Sequence, residues 1–264
     1  MAMWELRPIT FKPPEEYLRL SASSVGRYEK CPMSWRLQYR DKVGPAMKGS
    51  YSLTFGNVVH DALKSYNRAW LGTGVKPADS ELGDFVVDAV RAYNVPPHEH
   101  TPTVAAVMKL ISKYHHEISD IEPTICEHKF WIVNVAEEIA INGFLDLATI
   151  DSVLDYKTSF SPVRDLESYR DQLELYAHVF KLITLQLPTH IRVVNFVRSK
   201  GAVTPHELKW DRSTRVLDKI STIRGKIAES NFEPKPGAQC KDCLYAAQFC
   251  EAGRLRNAPK RKEQ

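Results

Sequence analysis

The segment VLDYKTS, residues 153–159, places two charged side chains in a run of residues that favours a β-strand. Side chains alternate between the two faces of a strand, so Asp155 and Lys157 point in the same direction. A carboxylate is a ligand that Mg²⁺ prefers, and a lysine beside it can orient or deprotonate a metal-bound water. The pair alone decides little, because Asp-x-Lys occurs by chance and a strand with one solvated side also explains it.

A second acid, Asp146, lies in the preceding apolar segment GFLDLATI, residues 143–150. Alternation places it on one face of a strand with Asn142 and Phe144. The opposite face carries apolar residues: Ile141, Leu145 and Leu147. If the two strands pair through a short turn at 151–152, Asp146 and Asp155 come close enough to hold one divalent cation. A buried pair of like charges is costly without a cation, so the pattern predicts a metal site.

Helical periodicity dominates the first half of the chain. Residues 21–41, SASSVGRYEKCPMSWRLQYRD, predict two short helices that meet at Cys31-Pro32. Residues 55–70, FGNVVHDALKSYNRAW, repeat apolar residues at a helical period and carry His60. This histidine would add an imidazole ligand to the metal site, although a lone histidine on a helix is more often structural. Residues 79–119 predict further helices, with NVPPHEHTP as the break between them.

The second half changes to a β pattern after Pro123. Three apolar segments joined by short polar turns at 136–138 and 151–152 predict an antiparallel meander: CEHKFWIVNV, EIAINGFLDLATI and SVLDYKTSF. A helix over SYRDQLELYAHVFKLI, two strands around a Lys200-Gly201 turn and a closing helix over STRVLDKISTIRGKIAES follow. This order predicts an α/β fold in which a mixed β-sheet core is flanked by helices.

Composition is that of an ordinary globular protein. The chain has 264 residues, of which 43% are hydrophobic and 26% charged. No apolar run approaches the roughly 18 residues that span a bilayer, and the opening residues lack the pattern of a signal peptide, so we expect an intracellular, cytoplasmic protein without a membrane contact. The net charge of +4 is too small to indicate a nucleic-acid partner. The basic tail at 253–264 could hold phosphates but is equally typical of a frayed terminus.

Four motifs together resemble a known family. FGNVVH, GFLDLATI, VLDYKTS and QLELY are similar to the successive motifs of the RecB-like branch of the PD-(D/E)XK nucleases. The family's pattern is matched by eight residues: Gly56, His60, Gly143, Asp146, Asp155, Lys157, Gln172 and Tyr176. The segment SASSVGRYEKCPMSWRLQY also resembles the usual start of the family's domain, a serine-rich beginning of a helix that leads to Cys-Pro. The likeness extends over residues 21–252. It implies a restriction-endonuclease-like mixed sheet.

The resemblance also implies roles for these residues. His60, Asp146 and Asp155, with the main-chain carbonyl after Asp155, would bind Mg²⁺ or Mn²⁺, and Lys157 would serve the attacking water. Glu127, at the head of the first strand of the meander, could add a further acidic group near the metal, and we expect it to lie outside the ligand set or in solvent.

Gln172 and Tyr176 lie one helical turn apart, so both can face one groove. By resemblance they would position the DNA strand and the lysine. The spacing of Leu173, Tyr176 and Phe180 fits equally well a tyrosine that belongs to the core.

Five cysteines in a chain expected to be cytosolic argue against a disulfide framework. Cys240, Cys243 and Cys250 form a C-x2-C-x6-C pattern, and Cys31 supplies a distant fourth thiol. Four thiolates complete a [4Fe-4S] or a structural Zn²⁺ site, which would fasten the two ends of the domain together. The pattern resembles the iron-sulfur branch, with the helicase-nuclease subunit AddB and the CRISPR adaptation nucleases, and this resemblance favours [4Fe-4S]. Cys126 is expected to be an ordinary buried thiol.

The leading functional hypothesis is a Mg²⁺- or Mn²⁺-dependent deoxyribonuclease, a single-strand-preferring exonuclease acting on DNA with free ends. Recombination, repair, replication or CRISPR adaptation would be its setting, with a protein partner in a larger complex and a viral or phage origin open. The alternative is a non-cleaving DNA-binding or scaffold module, although such a module would be expected to lose part of the motif set. We expect four parts: an extension at 1–20, the nuclease domain at 21–235 with a helical insertion at about 61–120, the cysteine appendage at 236–252 and the basic tail at 253–264.

Overall fold

The computed structural model describes residues 3–43, 51–93, 95–118 and 121–257. Its centre is a sheet of seven strands. In chain order they are β1 (Trp4–Arg7), β2 (Leu18–Leu20), β3 (Ile125–Asn134), β4 (Ile139–Ala148), β5 (Ser152–Ser159), β6 (His190–Val197) and β7 (Ala202–Leu208).

The sheet is mixed, as the order of the elements predicts. Its strand order is β1-β3-β4-β5-β6-β7, and β2 pairs with β4 beside this path. The antiparallel meander of β3, β4 and β5 is confirmed. β5 and β6 pair in parallel, because a helix over Arg170–Thr184 forms the crossover between them. The segment expected to be an N-terminal extension contributes β1 and β2, which pair with β3 and β4.

Eight α-helices are described: α1 (Ala22–Lys30), α2 (Pro32–Trp35), α3 (Tyr51–Thr73), α4 (Leu82–Ala92), α5 (Pro97–Glu117), α6 (Arg170–Thr184), α7 (Arg215–Ala228) and α8 (Glu251–Asn257). A π-helical turn, Arg36–Arg40, continues α2. α1, α6 and α7 bury their apolar residues against one face of the sheet. α3, α4 and α5 form a second core on the other face. None of the described helices is both long and apolar enough to cross a membrane.

The helix junction at Cys31-Pro32 is confirmed, since α1 ends at Lys30 and α2 begins at Pro32. The predicted break NVPPHEHTP is too long, because α5 already begins at Pro97. A proline fits the first turn of a helix, where its missing N–H has no partner to lose.

The predicted face of Leu147 is wrong. Leu145 packs in the core beneath α6, whereas Leu147 packs in the core beneath α3. Strict alternation would keep both on one face. The strand pair is irregular here: β3 pairs with β4 through Cys126 and His128, but Glu127 between them has a left-handed backbone with a φ of 46°. The irregularity lies beside Asp146, whose neighbours therefore differ from those of a regular strand.

The C-terminal appendage contains one 3-10 turn, Ala238–Cys240, followed by α8. α8 includes the first residues of the expected basic tail, and residues 258–264 lie outside the described part of the chain.

Candidate functional site

The site begins where β4 and β5 separate. The two strands pair at Leu147 with Leu154 and at Ala148 with Val153, and β2 instead takes the edge of β4 at Ile139–Ile141. The main-chain N–H of Tyr156 donates to Oδ2 of Asp146 at 2.8 Å. β4 no longer pairs with β5 at this point, so the N–H of Tyr156 has no backbone partner on β4. The carboxylate of Asp146 accepts from it instead.

Asp155 and Lys157 lie on one face of β5, as alternation predicts. The carboxylate of Asp155 is 1% exposed, and its Oδ2 lies 2.7 Å from Nζ of Lys157. Lys157 also donates to Oε1 of Gln172 at 3.1 Å, and its Nζ lies 5.3 Å from the ring centre of Tyr169. Two groups of α6 and its preceding turn therefore hold the ammonium beside the carboxylate.

Gln172 and Tyr176 contact each other on α6. Nε2 of Gln172 donates to Oδ1 of Asp155 at 2.8 Å and to the hydroxyl of Tyr176 at 2.7 Å. Tyr176 is 5% exposed and belongs to the core beneath α6, whereas Gln172 lines the open pocket. Tyr176 thus holds the amide that in turn contacts both Asp155 and Lys157.

His60 reaches the carboxylates from α3, on the opposite side of the pocket. Its Nδ1 lies 3.8 Å from Oδ2 of Asp146. α3 approaches β5 closely one turn earlier, because a Cβ on Gly56 would lie 2.7 Å from Oγ1 of Thr158. A side chain at Gly56 would therefore push α3, and His60 with it, away from β5.

Glu127 lies opposite Asp146, close to two of the predicted ligands. The pairs of Cys126 with Leu147 and His128 with Leu145 place Glu127 and Asp146 at facing positions of β3 and β4. Ligand atoms of Glu127, Asp146 and His60 all lie within 4.8 Å of one another. Strained non-glycine backbone of the kind seen at Glu127 concentrates at functional sites. The signal in the sequence was an acid at the head of an apolar strand, but only the register joins it to Asp146.

Burial dominates the electrostatics of the acids. It raises the pKa of Asp155 to about 6, although Lys157 acts in the opposite direction. It raises the pKa of Asp146 to about 6, although the Tyr156 N–H opposes it. Burial and then the charge of Asp146 raise the pKa of Glu127 to about 7. All three carboxyl groups therefore resist ionisation in the metal-free site. A bound divalent cation would balance their negative charge and favour the ionised forms.

The two basic groups respond differently. Burial lowers the pKa of His60, so its imidazole is neutral at pH 7 and can act as a metal ligand. Burial alone would lower the pKa of Lys157, but the charge of Asp155 and the contact with it outweigh burial and raise that pKa. Lys157 is therefore an ammonium group at neutral pH.

Asn195 is a supporting residue that sequence reasoning missed. It lies beside Lys157 on β6, is fully buried, and donates from Nδ2 to the main-chain oxygen of Lys157 and to Oγ of Ser159, both at 3.0 Å. Its Oδ1 accepts from the N–H of Val163 at 3.1 Å. One asparagine in the apolar run HIRVVNFV was the signal.

A second buried network fastens the helical insertion to β5. The hydroxyl of Tyr156 lies 2.8 Å from that of Tyr114 on α5 and accepts from Nδ2 of Asn67 on α3 at 3.1 Å. All three side chains are almost fully buried. Through these contacts α3 and α5 are held against the strand that carries Asp155.

The pocket itself is an open cavity of about 610 Å³. Its lining combines the acidic, basic and amide groups described above with the start of α3: Ser52, Leu53, Gly56, Asn57, His60, Asp146, Asp155, Tyr156, Lys157, Thr158 and Gln172. Tyr176 is not among the described lining residues.

The four cysteines of the predicted cluster line one further cavity of about 780 Å³, which shares Gln172 with the pocket. Two of their sulfurs accept from backbone N–H groups, Cys240 from Gly237 and Cys250 from Gly253, each at 3.4 Å. Among the described residues, no three of the cysteine sulfurs lie within 4.8 Å of one another. Cys126 lies apart, half-buried and directed at the main-chain oxygen of Lys64, and burial raises the pKa of its thiol to about 12.

Comparisons with known proteins add to this geometry. The model of the PD-(D/E)XK nuclease superfamily matches residues 19–250. A search of the curated proteins gave no match. Among solved structures, a “putative exonuclease” from Eubacterium rectale superposes with a TM-score of 0.55 at 10% identity, over 94% of this chain and 91% of that chain, so the two share a fold. The protein SSO0001 gives a TM-score of 0.44 at 11% identity, over 93% of this chain and 90% of that chain.

Proposed function

The chain belongs to the PD-(D/E)XK nuclease superfamily, and from that premise we propose that it is a Mg²⁺- or Mn²⁺-dependent deoxyribonuclease that hydrolyses phosphodiester bonds. The observation that carries the proposal is the ion pair of Lys157 with buried Asp155, 2.7 Å long, beside Asp146 and His60 in an open pocket. A solvated strand face would leave these groups exposed, whereas Asp155 is 1% exposed.

The donor set suits a hard divalent cation. Asp146 and Glu127 supply carboxylate oxygens near the imidazole nitrogen of neutral His60, and the carboxylate of Asp155 lines the same pocket as Asp146 and His60. We propose His60, Asp146 and Asp155 as ligands and Glu127 as a further acid of the same site. When bound, the cation would polarise the scissile phosphate and favour ionisation of water beside it.

Lys157 acts as a positive charge in this proposal. Its raised pKa keeps Nζ protonated at neutral pH, so the ammonium orients the attacking water and offsets negative charge that develops on the phosphate. Gln172 keeps Nζ in place through Oε1, and Tyr176 fixes the Gln172 amide. Both are positioning residues.

A single strand is the preferred substrate that we propose. Two large apolar side chains are exposed at 50% and 70%: Leu53, which lines the pocket, and Phe160, which follows Lys157 by three residues in the chain. Arg198 lies over the rings of Tyr51 and Phe55, 4.6 and 4.7 Å from their centres. Exposed apolar and aromatic groups with a fixed guanidinium suit unpaired bases and phosphates, which supports an exonuclease acting at frayed or single-stranded ends.

For the cysteines we propose a [4Fe-4S] cluster held by Cys31, Cys240, Cys243 and Cys250, which would make the chain a member of the iron-sulfur branch. N–H donors to the sulfurs at Cys240 and Cys250 support thiolate ligands. The resemblance of the C-x2-C-x6-C pattern, with Cys31 as the fourth thiol, to the iron-sulfur branch favours this cluster over zinc. The appendage at 236–252 would then be a cluster-binding part of the domain.

The setting that we propose for this nuclease is recombination, repair, replication or CRISPR adaptation, in which it works with a protein partner.

The direct test compares wild type with Asp155→Asn on end-labelled single-stranded, end-labelled duplex and circular DNA, each with Mn²⁺ and with EDTA. We expect release of nucleotides from the single strand, slower release from the duplex, none from the circle, and none from any substrate with EDTA or the variant. Binding of labelled DNA without cleavage by wild type would instead favour the non-cleaving module.

A further inference from the structure

A second cluster of potential metal ligands lies away from the nuclease pocket. Asp79 begins the 3-10 turn Asp79–Glu81, and His115 and His116 occupy the last turn of α5. Ligand atoms of all three residues lie within 4.8 Å of one another. None of them is among the described residues that line the nuclease pocket or the cysteine cavity.

The distances fit one tetrahedral ion. Oδ1 of Asp79 lies 2.9 Å from Nε2 of His115 and 3.5 Å from Nε2 of His116. Zinc bonds of about 2.0–2.2 Å to nitrogen and oxygen place neighbouring ligand atoms about 3.3 Å apart. The two imidazole rings stand nearly perpendicular, 4.7 Å between centres, so adjacent residues of one helix present both Nε2 atoms to the same oxygen.

Tyr66 supplies the support that metal-binding histidines usually have. Its buried hydroxyl lies 3.1 Å from Nδ1 of His115. With the proton on Nδ1 and donated to this hydroxyl, the lone pair of Nε2 faces Asp79 and is available to a cation. With the proton on Nε2, the same contact is a hydrogen bond to Asp79, and a metal would replace that proton.

The surroundings leave room for an ion. His116 and Asp79 have side chains that are 54% and 66% exposed, so a fourth position is open to water. Lys76 brings a positive charge to this cluster, and its Nζ donates to the main-chain oxygen of His115. The carbonyl groups at the C-terminal end of α5 carry partial negative charge. They favour a bound cation and offset the repulsion between that cation and Lys76.

We infer that Asp79, His115 and His116 form a second divalent-metal site, suited to Zn²⁺, which fastens the turn before α4 to the end of α5. Two imidazoles and one carboxylate are ligands that zinc prefers over Mg²⁺. Closure of the chain segment between the turn and the end of α5 would stabilise the helical insertion. The site does not depend on the nuclease proposal, because it shares no ligand with the pocket.

The test measures Zn²⁺ binding to full-length protein that carries His60→Ala, so that the nuclease pocket does not compete, and that retains its purified cysteine-bound metal. Calorimetry and thermal unfolding with ZnCl₂ are compared for this parent and for the parent with His116→Ala. His98→Ala is the matched control, since His98 is an exposed histidine on the same helix.

We expect one Zn²⁺ per chain and a higher melting temperature in the parent and in the His98→Ala control. His116→Ala should bind at least about tenfold more weakly, and Tyr66→Phe should weaken binding while leaving the ligands intact. Equal zinc affinity in parent and His116→Ala, or no zinc-dependent rise in melting temperature of the parent, would overturn the inference. In the otherwise wild-type chain, His116→Ala should leave Mn²⁺-dependent cleavage unchanged, which separates this outcome from failure of the nuclease proposal.

Discussion

The N–H of Tyr156 donates to the carboxylate of Asp146 at the point where their two strands separate. Tyr156 directly follows Asp155, and the same Oδ2 of Asp146 lies 3.8 Å from Nδ1 of His60 on α3. A small displacement of either strand or of α3 would therefore be felt at every proposed ligand.

Gly56→Ala tests the approach of α3 to β5. A Cβ there would lie 2.7 Å from Oγ1 of Thr158, so we expect a loss of about 1–3 kcal/mol of unfolding free energy and weaker Mn²⁺ binding through displaced His60. Chemical denaturation and calorimetry measure both. Gly83→Ala, where a Cβ meets nothing within 4 Å, is the control and should not be destabilised. Addition of Thr158→Ala to Gly56→Ala should restore stability; a Gly56→Ala protein as stable as wild type would refute the packing argument.

Glu127→Gln tests the electrostatics of the acids. The folded pKa of Glu127, about 7, exceeds the ordinary 4.5. The folded state binds the Glu127 proton more tightly than the unfolded state does. Protonation of Glu127 therefore stabilises the fold fully below pH 4.5, and this contribution is lost as the pH rises through 7. Glutamine cannot ionise, so metal-free Glu127→Gln should melt above wild type at pH 8, and the difference should shrink toward pH 5.

The exposed acid Glu122 provides the control for this pH series, since Glu122→Gln should follow wild type. Mn²⁺ should raise the melting temperature of wild type more than that of Glu127→Gln at pH 8. A variant no more stable than metal-free wild type at pH 8 would show that Glu127 is not held beside Asp146.

Tyr176→Phe tests positioning through Gln172. The change removes the hydroxyl that accepts from Nε2 but keeps the packed ring, so stability should change by no more than about 1 kcal/mol. We expect kcat to fall about tenfold with little change in KM, because Lys157 is less well held. Gln172→Ala should cost more, about 100-fold. Full activity of Gln172→Ala would show that neither Gln172 nor Tyr176 positions Lys157 for catalysis.

Cys243→Ser tests the proposed cluster. Protein purified without oxygen should carry about four iron atoms per chain with broad visible absorbance. The variant should lose both and melt at a lower temperature, because the cluster joins Cys31 to the C-terminal segment. Cys126→Ser, outside the cysteine cavity, should keep its iron. Stoichiometric zinc in wild type would contradict the cluster, and unchanged metal content in Cys243→Ser would contradict the ligand set.

Local patterns predicted what depends on nearby residues. The alternation of Asp155 and Lys157, the meander and the junction at Cys31-Pro32 each rest on spacing within one segment. The face of Leu147 was predicted wrongly, since the left-handed backbone at Glu127 breaks the alternation and lies on another strand.

Contacts between distant segments could not be predicted by spacing. Glu127 meets Asp146 only through the register of β3 with β4, and Asn195 supports Lys157 only because β6 pairs in parallel with β5. The approach of His60 depends on how closely α3 packs at Gly56. The resemblance to a family predicted that His60, Asp146, Asp155 and Lys157 share one site, which the spacing within single segments does not predict.

The most direct test of the central claim is the Mn²⁺-dependent release of nucleotides from end-labelled single-stranded DNA by Lys157→Met. Lys113→Met, which removes an exposed lysine from α5, is the matched control. The account predicts that Lys157→Met folds, binds Mn²⁺ and cleaves at least about 100-fold more slowly, while Lys113→Met cleaves like wild type. Undiminished cleavage by Lys157→Met would contradict it.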